Sequence, residues 1–141
     1  IKLVCVGNFA YKQYKDEFIN LIETLGLSDK ILFFENVDDD ELVKLIYHAK
    51  AMVIPSLYET FGFMYVEGRV FTKPLIVADT QIAREVTEGQ CIYFKGEDAS
   101  DLASKMEMAI TRDDLSLDYH IADAFHEETA AVNFANFIKG L

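Results

Sequence analysis

Apolar residues along this chain alternate between two patterns. Continuous apolar runs recur at Leu3–Val6, Ile31–Phe34, Ala51–Ile54, Leu75–Ala78 and Cys91–Phe94. Short runs without polar alternation, bounded by Gly, Asn, Pro or Asp, predict strands buried on both faces. Between them the apolar positions take helical spacing. Tyr14, Phe18, Leu21, Ile22 and Leu25 form one such face, stopped by Gly26. Leu42, Leu45, Ile46 and Ala49 form a second, behind the acidic run Asp38–Glu41. Acidic residues at a helix start complement its dipole, and an Asp there can cap the first turn. Further helices are predicted over Phe63–Phe71, Ile82–Val86 and Asp98–Thr111, the last opened by Asp98 or Ser100. A polar linker, Arg112–Asp118, leads to a final predicted helix over Tyr119–Ile138, with Phe125, Val132, Phe134 and Phe137 apolar.

No two predicted strands are joined by a tight hairpin. Strand–helix alternation of this kind requires right-handed crossovers and a parallel sheet covered on both faces. The expected fold is α/β: a Rossmann-like three-layer sandwich of about five parallel strands, spanning 1–141 as one domain. Ligands of such sheets bind at the carboxyl ends of the strands. The loops to watch are therefore Gly7–Tyr11, Glu35–Asp38, Pro55–Gly62, Asp79–Ala83 and Lys95–Asp98.

Composition narrows the function classes. The 141 residues are 51% hydrophobic and 13% aromatic, which fits a folded core rather than a disordered chain. The net charge of −11 disfavours binding to nucleic acid or to an anionic membrane surface. An anionic ligand must then be held by local features. No apolar run is long enough to predict a membrane span, and no leader pattern opens the chain. A cytoplasmic setting is expected, with the whole protein peripheral to the inner face of the cell membrane as an extension of it. The chain starts inside an apolar strand without Met, so a piece of a longer protein, truncated on its N-terminal side, is expected. Cys5 and Cys91 lie in strand-like runs with no C-x-x-C and no Cys/His cluster, so they read as small structural thiols and no metal site is predicted.

The chemistry concentrates at Ile54–Glu67, where a strand ends at Pro55, a loop carries Glu59, and Gly62 turns into a helix carrying Glu67. A carboxylate suits a vicinal diol, because its two oxygens can accept from two O–H groups. The unpaired N–H groups of the helix start between them suit a phosphate. Diol, phosphate, diol is the outline of a sugar nucleotide. The same two residues would also be unremarkable on a solvated loop and a solvated helix face, and spacing alone does not choose.

Pro55-Ser56-Leu57-Tyr58-Glu59-Thr60-Phe61-Gly62, followed by Glu67, resembles the E-x7-E signature of the glycosyltransferase group 1 family. These are retaining enzymes of the GT-B fold, and the resemblance is to their C-terminal, donor-binding domain. It continues through Val4–Gly7, Ile31–Val37, Asp40–Ala51, Pro74–Asp79, Glu85-Val86 and Cys91–Ala103. It implies that Glu59 contacts the donor sugar as the candidate catalytic residue and that Glu67 holds the nucleotide ribose. Phe61, Gly62 and Phe63 would lie along the sugar and diphosphate, Val37 beside the base, and Gly7 at the first strand end. No metal or other cofactor is implied. The implied partners are a nucleotide-diphosphate sugar and an acceptor glycan or lipid-linked glycan, the acceptor reached through an N-terminal domain not contained in this sequence. The implied activity is hexosyl transfer in polysaccharide or glycan biosynthesis, with this piece inactive alone.

The sequence departs from the family pattern at Met64, at Gly68-Arg69 and at Gln81–Arg84. Lys12, Lys15 and Arg84 are candidate phosphate partners or else solvated surface; Arg69, two positions after Glu67, is expected to point away from it as a salt-bridging surface residue. The terminal helix (119–138) is expected to pack normally on an N-terminal domain, leaving this piece prone to self-association. Two other classes fit the same strand pattern: a flavodoxin-like binding module, opposed by Pro55 where a phospho-accepting Asp would stand, and a catalytically idle interaction domain of the same fold.

Overall fold

The computed structural model describes residues 1–71 and 73–112. The predicted terminal helix, and the self-association expected from it, lie outside the described residues. Strands and helices alternate throughout: β1 (Leu3–Val6), α1 (Lys12–Thr24), β2 (Ile31–Phe34), α2 (Asp39–His48), β3 (Met52–Ile54), α3 (Phe63–Val70), β4 (Leu75–Ala78), α4 (Gln81–Thr87), β5 (Ile92–Phe94) and α5 (Ala99–Thr111). Every strand pair is parallel: Leu3 faces Ile31, Met52 faces Leu75, and Ile76 faces Ile92. The expected α/β architecture of parallel strands and crossover helices is thus observed. The strands form two ladders, β1–β2 and β3–β4–β5. The chain divides into two compact units, Ile1–Leu45 and the part from Ile46 onward.

In the first unit, the rings of Phe9, Phe18 and Phe33 meet with centroids 5.0 to 5.8 Å apart and tie α1 to β2. Lys15 of α1 pairs with Glu35 at 2.6 Å. The expectation of strands buried on both faces does not hold here, since Leu3, Val4, Val6 and Phe34 are exposed. Within this unit a two-stranded ladder has α1 as its cover, and one helix shields one face. Asp38 caps α2, its carboxylate accepting from the Glu41 N–H at 2.8 Å.

The second unit carries the denser core. All of β4 is buried, and its side chains divide by alternation. Ile76 and Ala78 join Ile92, Phe94 and Ala109, with Leu102 and Met106 alongside, so α5 covers this face. Asp98 caps α5 by accepting from the Asp101 N–H. On the other face, α3 lies close to the sheet at Gly68. A Cβ added there would sit 2.2 Å from Leu75 Cδ2 and 3.0 Å from Met52 Sδ. Only a residue without a side chain lets the helix approach so far.

The next residue corrects an expectation. Arg69 is buried rather than on the surface. Its guanidinium donates to the Val86 carbonyl at 3.0 Å and to Gln90 Oε1 at 3.2 Å. The direction was right: two residues along a helix is roughly 200° of rotation, away from Glu67. That direction leads to the end of α4, where the Val86 carbonyl accepts from the guanidinium. The Gly68-Arg69 departure is therefore one device, a close helix–sheet contact followed by an interhelix hydrogen bond. Among the described residues no helix is long and apolar enough to cross a membrane.

Candidate functional site

β3 ends at Ile54, and the loop from Pro55 delivers the chain to Gly62 at φ 77°, ψ 61°. This is the left-handed region, where glycine avoids the clash that a Cβ brings. Gly62 stands as N-cap of α3 with no side-chain cap, and its carbonyl accepts from the Tyr65 N–H at 2.9 Å. The Phe63 and Met64 amides that open the helix have no side-chain cap and stand at the positive end of the dipole. Glu59 is exposed on the loop before this turn, and Glu67 is exposed on α3 beyond it. Phe61 is half-buried and meets the exposed ring of Phe63 at 5.1 Å. Glu59, Phe61, Gly62, Phe63 and Glu67 are brought into one strand–loop–helix junction at the carboxyl end of β3.

The other two predicted site residues belong to the first unit. Gly7 follows β1 and donates its N–H to the Phe34 carbonyl at 3.1 Å. Val37 is half-buried in the loop after β2, next to Asn36 at φ 52°. Each stands at the carboxyl end of its strand, the edge where parallel sheets place ligands.

Carboxylates already engage the candidate phosphate cations. Lys12 pairs with Asp16 and Lys15 with Glu35, each at 2.6 Å. Arg84 grips Asp79 in a two-point fork, 2.6 Å from Nε and 2.8 Å from Nη2. The Arg84 hydrogen bond holds the Asp79 carboxyl below its usual range, against a smaller opposing effect of desolvation. The guanidinium also lies over the Tyr93 ring, 4.5 Å from its centroid. Behind it, the Thr87 hydroxyl donates to the Ala83 carbonyl at 2.6 Å and shares a short hydrogen bond with Tyr93. The Gln81–Arg84 departure thus forms an internally braced turn, capped by Thr80 accepting from the Ala83 N–H.

The structural thiols are chemically quiet: burial pushes the Cys91 pKa up to about 11, with Thr87 and Arg69 opposing. Burial raises the Cys5 thiol too. Among the described residues no group of three or more His, Cys, Asp or Glu side chains converges.

Sequence reading missed Tyr65. Its ring fills the space under Gly62: a Cβ on that glycine would fall 2.4 Å from Tyr65 Cδ2 and Cε2. Tyr65 is fully buried, and among the described residues its hydroxyl makes no hydrogen bond of ordinary geometry, although Thr80 lies near enough to lower its pKa. Burial pushes the phenol pKa up, and the Glu59 charge pushes it further. The only available signal was a hydroxyl on the core-facing side of an apolar helix, three residues after the turn glycine.

Comparison with known proteins gives a consistent answer. The family model described as "Glycosyl transferases group 1" matches residues 1–123. The chain is 30% identical over 81 residues to the serotype-specific mannosyltransferase WbdA of Escherichia coli, covering 57% of this chain and 10% of WbdA. It is 31% identical over 102 residues to the uncharacterized glycosyltransferase MJ1607 of Methanocaldococcus jannaschii, covering 70% of this chain and 25% of that protein. Among solved structures, Anabaena Alr3699/HepE in complex with UDP superposes with a TM-score of 0.89 at 20% identity, over 100% of this chain and 41% of that one. Sucrose-phosphate synthase of Thermosynechococcus elongatus gives a TM-score of 0.80 at 19% identity, over 99% and 38%. The chain therefore spans a tenth to a quarter of these curated relatives and about two fifths of these solved ones. With its E-x7-E junction at the carboxyl end of a parallel strand, the chain belongs to the glycosyl transferases group 1 family.

Proposed function

We propose that this chain is the donor-binding domain of a retaining glycosyltransferase. The observation that carries the reading is the junction itself: two exposed carboxylates flank an uncapped helix start at the carboxyl end of β3. Glu59 accepts from hydroxyls of the donor sugar, and Glu67 from the ribose diol. The backbone of Phe61, Gly62 and Phe63 runs beside the sugar and diphosphate. As the glycosidic bond to the diphosphate breaks, negative charge grows on the leaving oxygen. The free amides and dipole of α3 face that charge without needing to reorganise. No metal is needed in this scheme.

Solved relatives in complex with UDP and with UDP-glucose support a nucleotide-sugar ligand. In the intact protein, a hexose or similar sugar passes to an acceptor hydroxyl of a glycan or lipid-linked glycan, in the cytoplasm or at the inner face of the membrane. The acceptor is reached through a further domain. One observation favours the catalytically idle alternative: Lys12, Lys15 and Arg84 all stand in ion pairs with carboxylates.

Titration of the isotopically labelled protein with UDP-glucose and GDP-mannose, followed by backbone amide shifts, separates the two. The donor-site reading predicts saturable shifts with at least one of them, centred on Glu59 to Glu67. A folded protein with no shift at millimolar concentrations of either would leave the idle domain as the better account.

A further inference from the structure

The loop that carries Glu59 rests on a contact from across the sheet. β4 lies between β3 and β5. The chain leaves β3 at Ile54 and crosses the end of β4 to bring Leu57 against Gly96, in the turn after β5. A Cβ on Gly96 would fall 2.7 Å from Leu57 Cδ2, so the leucine side chain lies on bare backbone. Gly96 has no positive φ, so closeness rather than conformation calls for glycine there. Leu57 is 37% exposed while the next side chain, Tyr58, is 94% exposed, which marks Leu57 as the seated one of the two. Residues 55–60 enter no backbone hydrogen bond among the described residues, so packing holds this stretch. The seat itself is braced. The Lys95 N–H donates to Asp101 Oδ2 at 2.7 Å, and the Asp98 N–H to the Lys95 carbonyl at 3.1 Å. Just before it, the Phe94 carbonyl accepts from the Asp79 N–H at 2.8 Å. At the other end of the loop, Gly62 rests against the Tyr65 ring. Glu59 stands two residues after Leu57 and three before Gly62.

We propose that Leu57, seated on Gly96, is a positioning residue for Glu59: the contact holds the loop so that the carboxylate meets the donor sugar hydroxyls without first having to be ordered. The proposal rests on the donor-site reading of Glu59. A loop that is ordered only on binding subtracts that cost from the affinity, and a loop held beforehand does not. The effect is confined to the sugar. Glu67 rides on α3, which is set on the sheet by its own close approach at Gly68, against Leu75 and Met52. Loosening Leu57 therefore leaves the ribose carboxylate where it is.

Two substitutions test it by different routes. Leu57→Ala removes the anchor. Gly96→Ala unseats it, because the added methyl meets the tip of a flexible side chain, which gives way more easily than the braced turn. The intact protein is titrated calorimetrically with UDP and with UDP-glucose or GDP-mannose, whichever of the two sugar nucleotides binds more tightly. If GDP-mannose is the tighter, GDP replaces UDP. Wild type is compared with Leu57→Ala, Gly96→Ala, Leu57→Met, Glu59→Ala, and the pairings of Leu57→Ala with Glu59→Ala and with Gly96→Ala. Leu57→Ala and Gly96→Ala are each expected to weaken the sugar nucleotide about three- to tenfold and to leave the nucleotide alone within about twofold of wild type. Leu57→Met keeps an apolar side chain of similar volume and stays within about twofold of wild type for both ligands. Each pairing costs less than about twofold beyond its more damaging member, since the positioned group or the seated side chain is already gone. A thermal melt checks that each variant is folded; should Leu57→Ala not be, Gly96→Ala alone and paired with Glu59→Ala carries the comparison. Equal losses for nucleotide and sugar nucleotide, no loss for either, a Leu57→Met loss as large as that of Leu57→Ala, or full additivity in a pairing would overturn the proposal. If Glu59→Ala itself costs no sugar-dependent affinity, the donor-site reading fails and takes this proposal with it. If Glu59→Ala costs affinity and neither Leu57→Ala nor Gly96→Ala does, only this proposal fails.

Discussion

Replacing Glu59 with alanine is expected to lower kcat/KM for glycosyl transfer by the intact protein about a hundredfold, with the fold untouched. The carboxylate is exposed on a loop, so no core contact is lost and the melting temperature should stay within a degree or so of wild type. On the proposed donor-site reading, what is lost is the acceptor of two sugar O–H groups. Hydrogen bonds to a charged partner are each worth about 1.5–3 kcal/mol when water is excluded, and the two act together rather than additively. A net loss near 3 kcal/mol corresponds to a factor of about a hundred in kcat/KM. Glu59→Gln keeps one good acceptor and should fall between, at about tenfold. Steady-state kinetics with a purified acceptor, read beside a thermal melt, checks this. A hundredfold loss accompanied by a large drop in melting temperature would make the loop structural instead.

Gly62→Ala should be the most damaging small substitution in the junction. Two costs fall on the same methyl group. At φ 77° an alanine adopts a left-handed conformation that costs about 1–2 kcal/mol. Its Cβ would also lie 2.4 Å from two carbons of the Tyr65 ring, and that ring is fully buried with little room to retreat. Overpacking of this kind costs typically about 1–3 kcal/mol. The sum, about 2–5 kcal/mol, is a large fraction of the stability of an ordinary domain. It should lower the melting temperature by roughly 10 °C or more. Gly26→Ala is the internal comparison: its φ is 65°, yet nothing lies within 4 Å of the added carbon. It should carry only the backbone cost. Equal melts for the two variants would show that the Tyr65 contact is soft.

Much of this fold is legible in the sequence because its signals are local. Leu75–Ala78 is an apolar run between Pro74 and Asp79, and it becomes the fully buried strand β4. Asp38 and Asp98 sit just before helical periodicity and both cap their helices, as N-cap chemistry requires. The E-x7-E spacing locates the junction because strand, turn and helix are contiguous there. The failures are non-local. Whether Leu3–Val6 is buried depends on what covers it, and its own letters read the same as those of β4. Arg69 reads as surface because charge favours solvent. Its burial comes with a hydrogen bond to the Val86 carbonyl, seventeen residues on. Tyr65 was missed for a related reason, since a Tyr in an apolar helix looks like core until its hydroxyl is seen buried without an ordinary hydrogen bond among the described residues.

The central claim is a division of labour, with Glu59 on the sugar and Glu67 on the ribose. Calorimetric titration of Glu67→Ala in the intact protein, using UDP and then UDP-glucose (or GDP and then GDP-mannose, whichever sugar nucleotide binds more tightly), tests it most directly beside Glu59→Ala. Glu67→Ala is predicted to weaken nucleotide and sugar nucleotide by the same factor, because both carry the ribose; Glu59→Ala is predicted to weaken the sugar nucleotide alone. If wild type binds both ligands and neither substitution changes either affinity, the junction does not hold the donor and the account is contradicted.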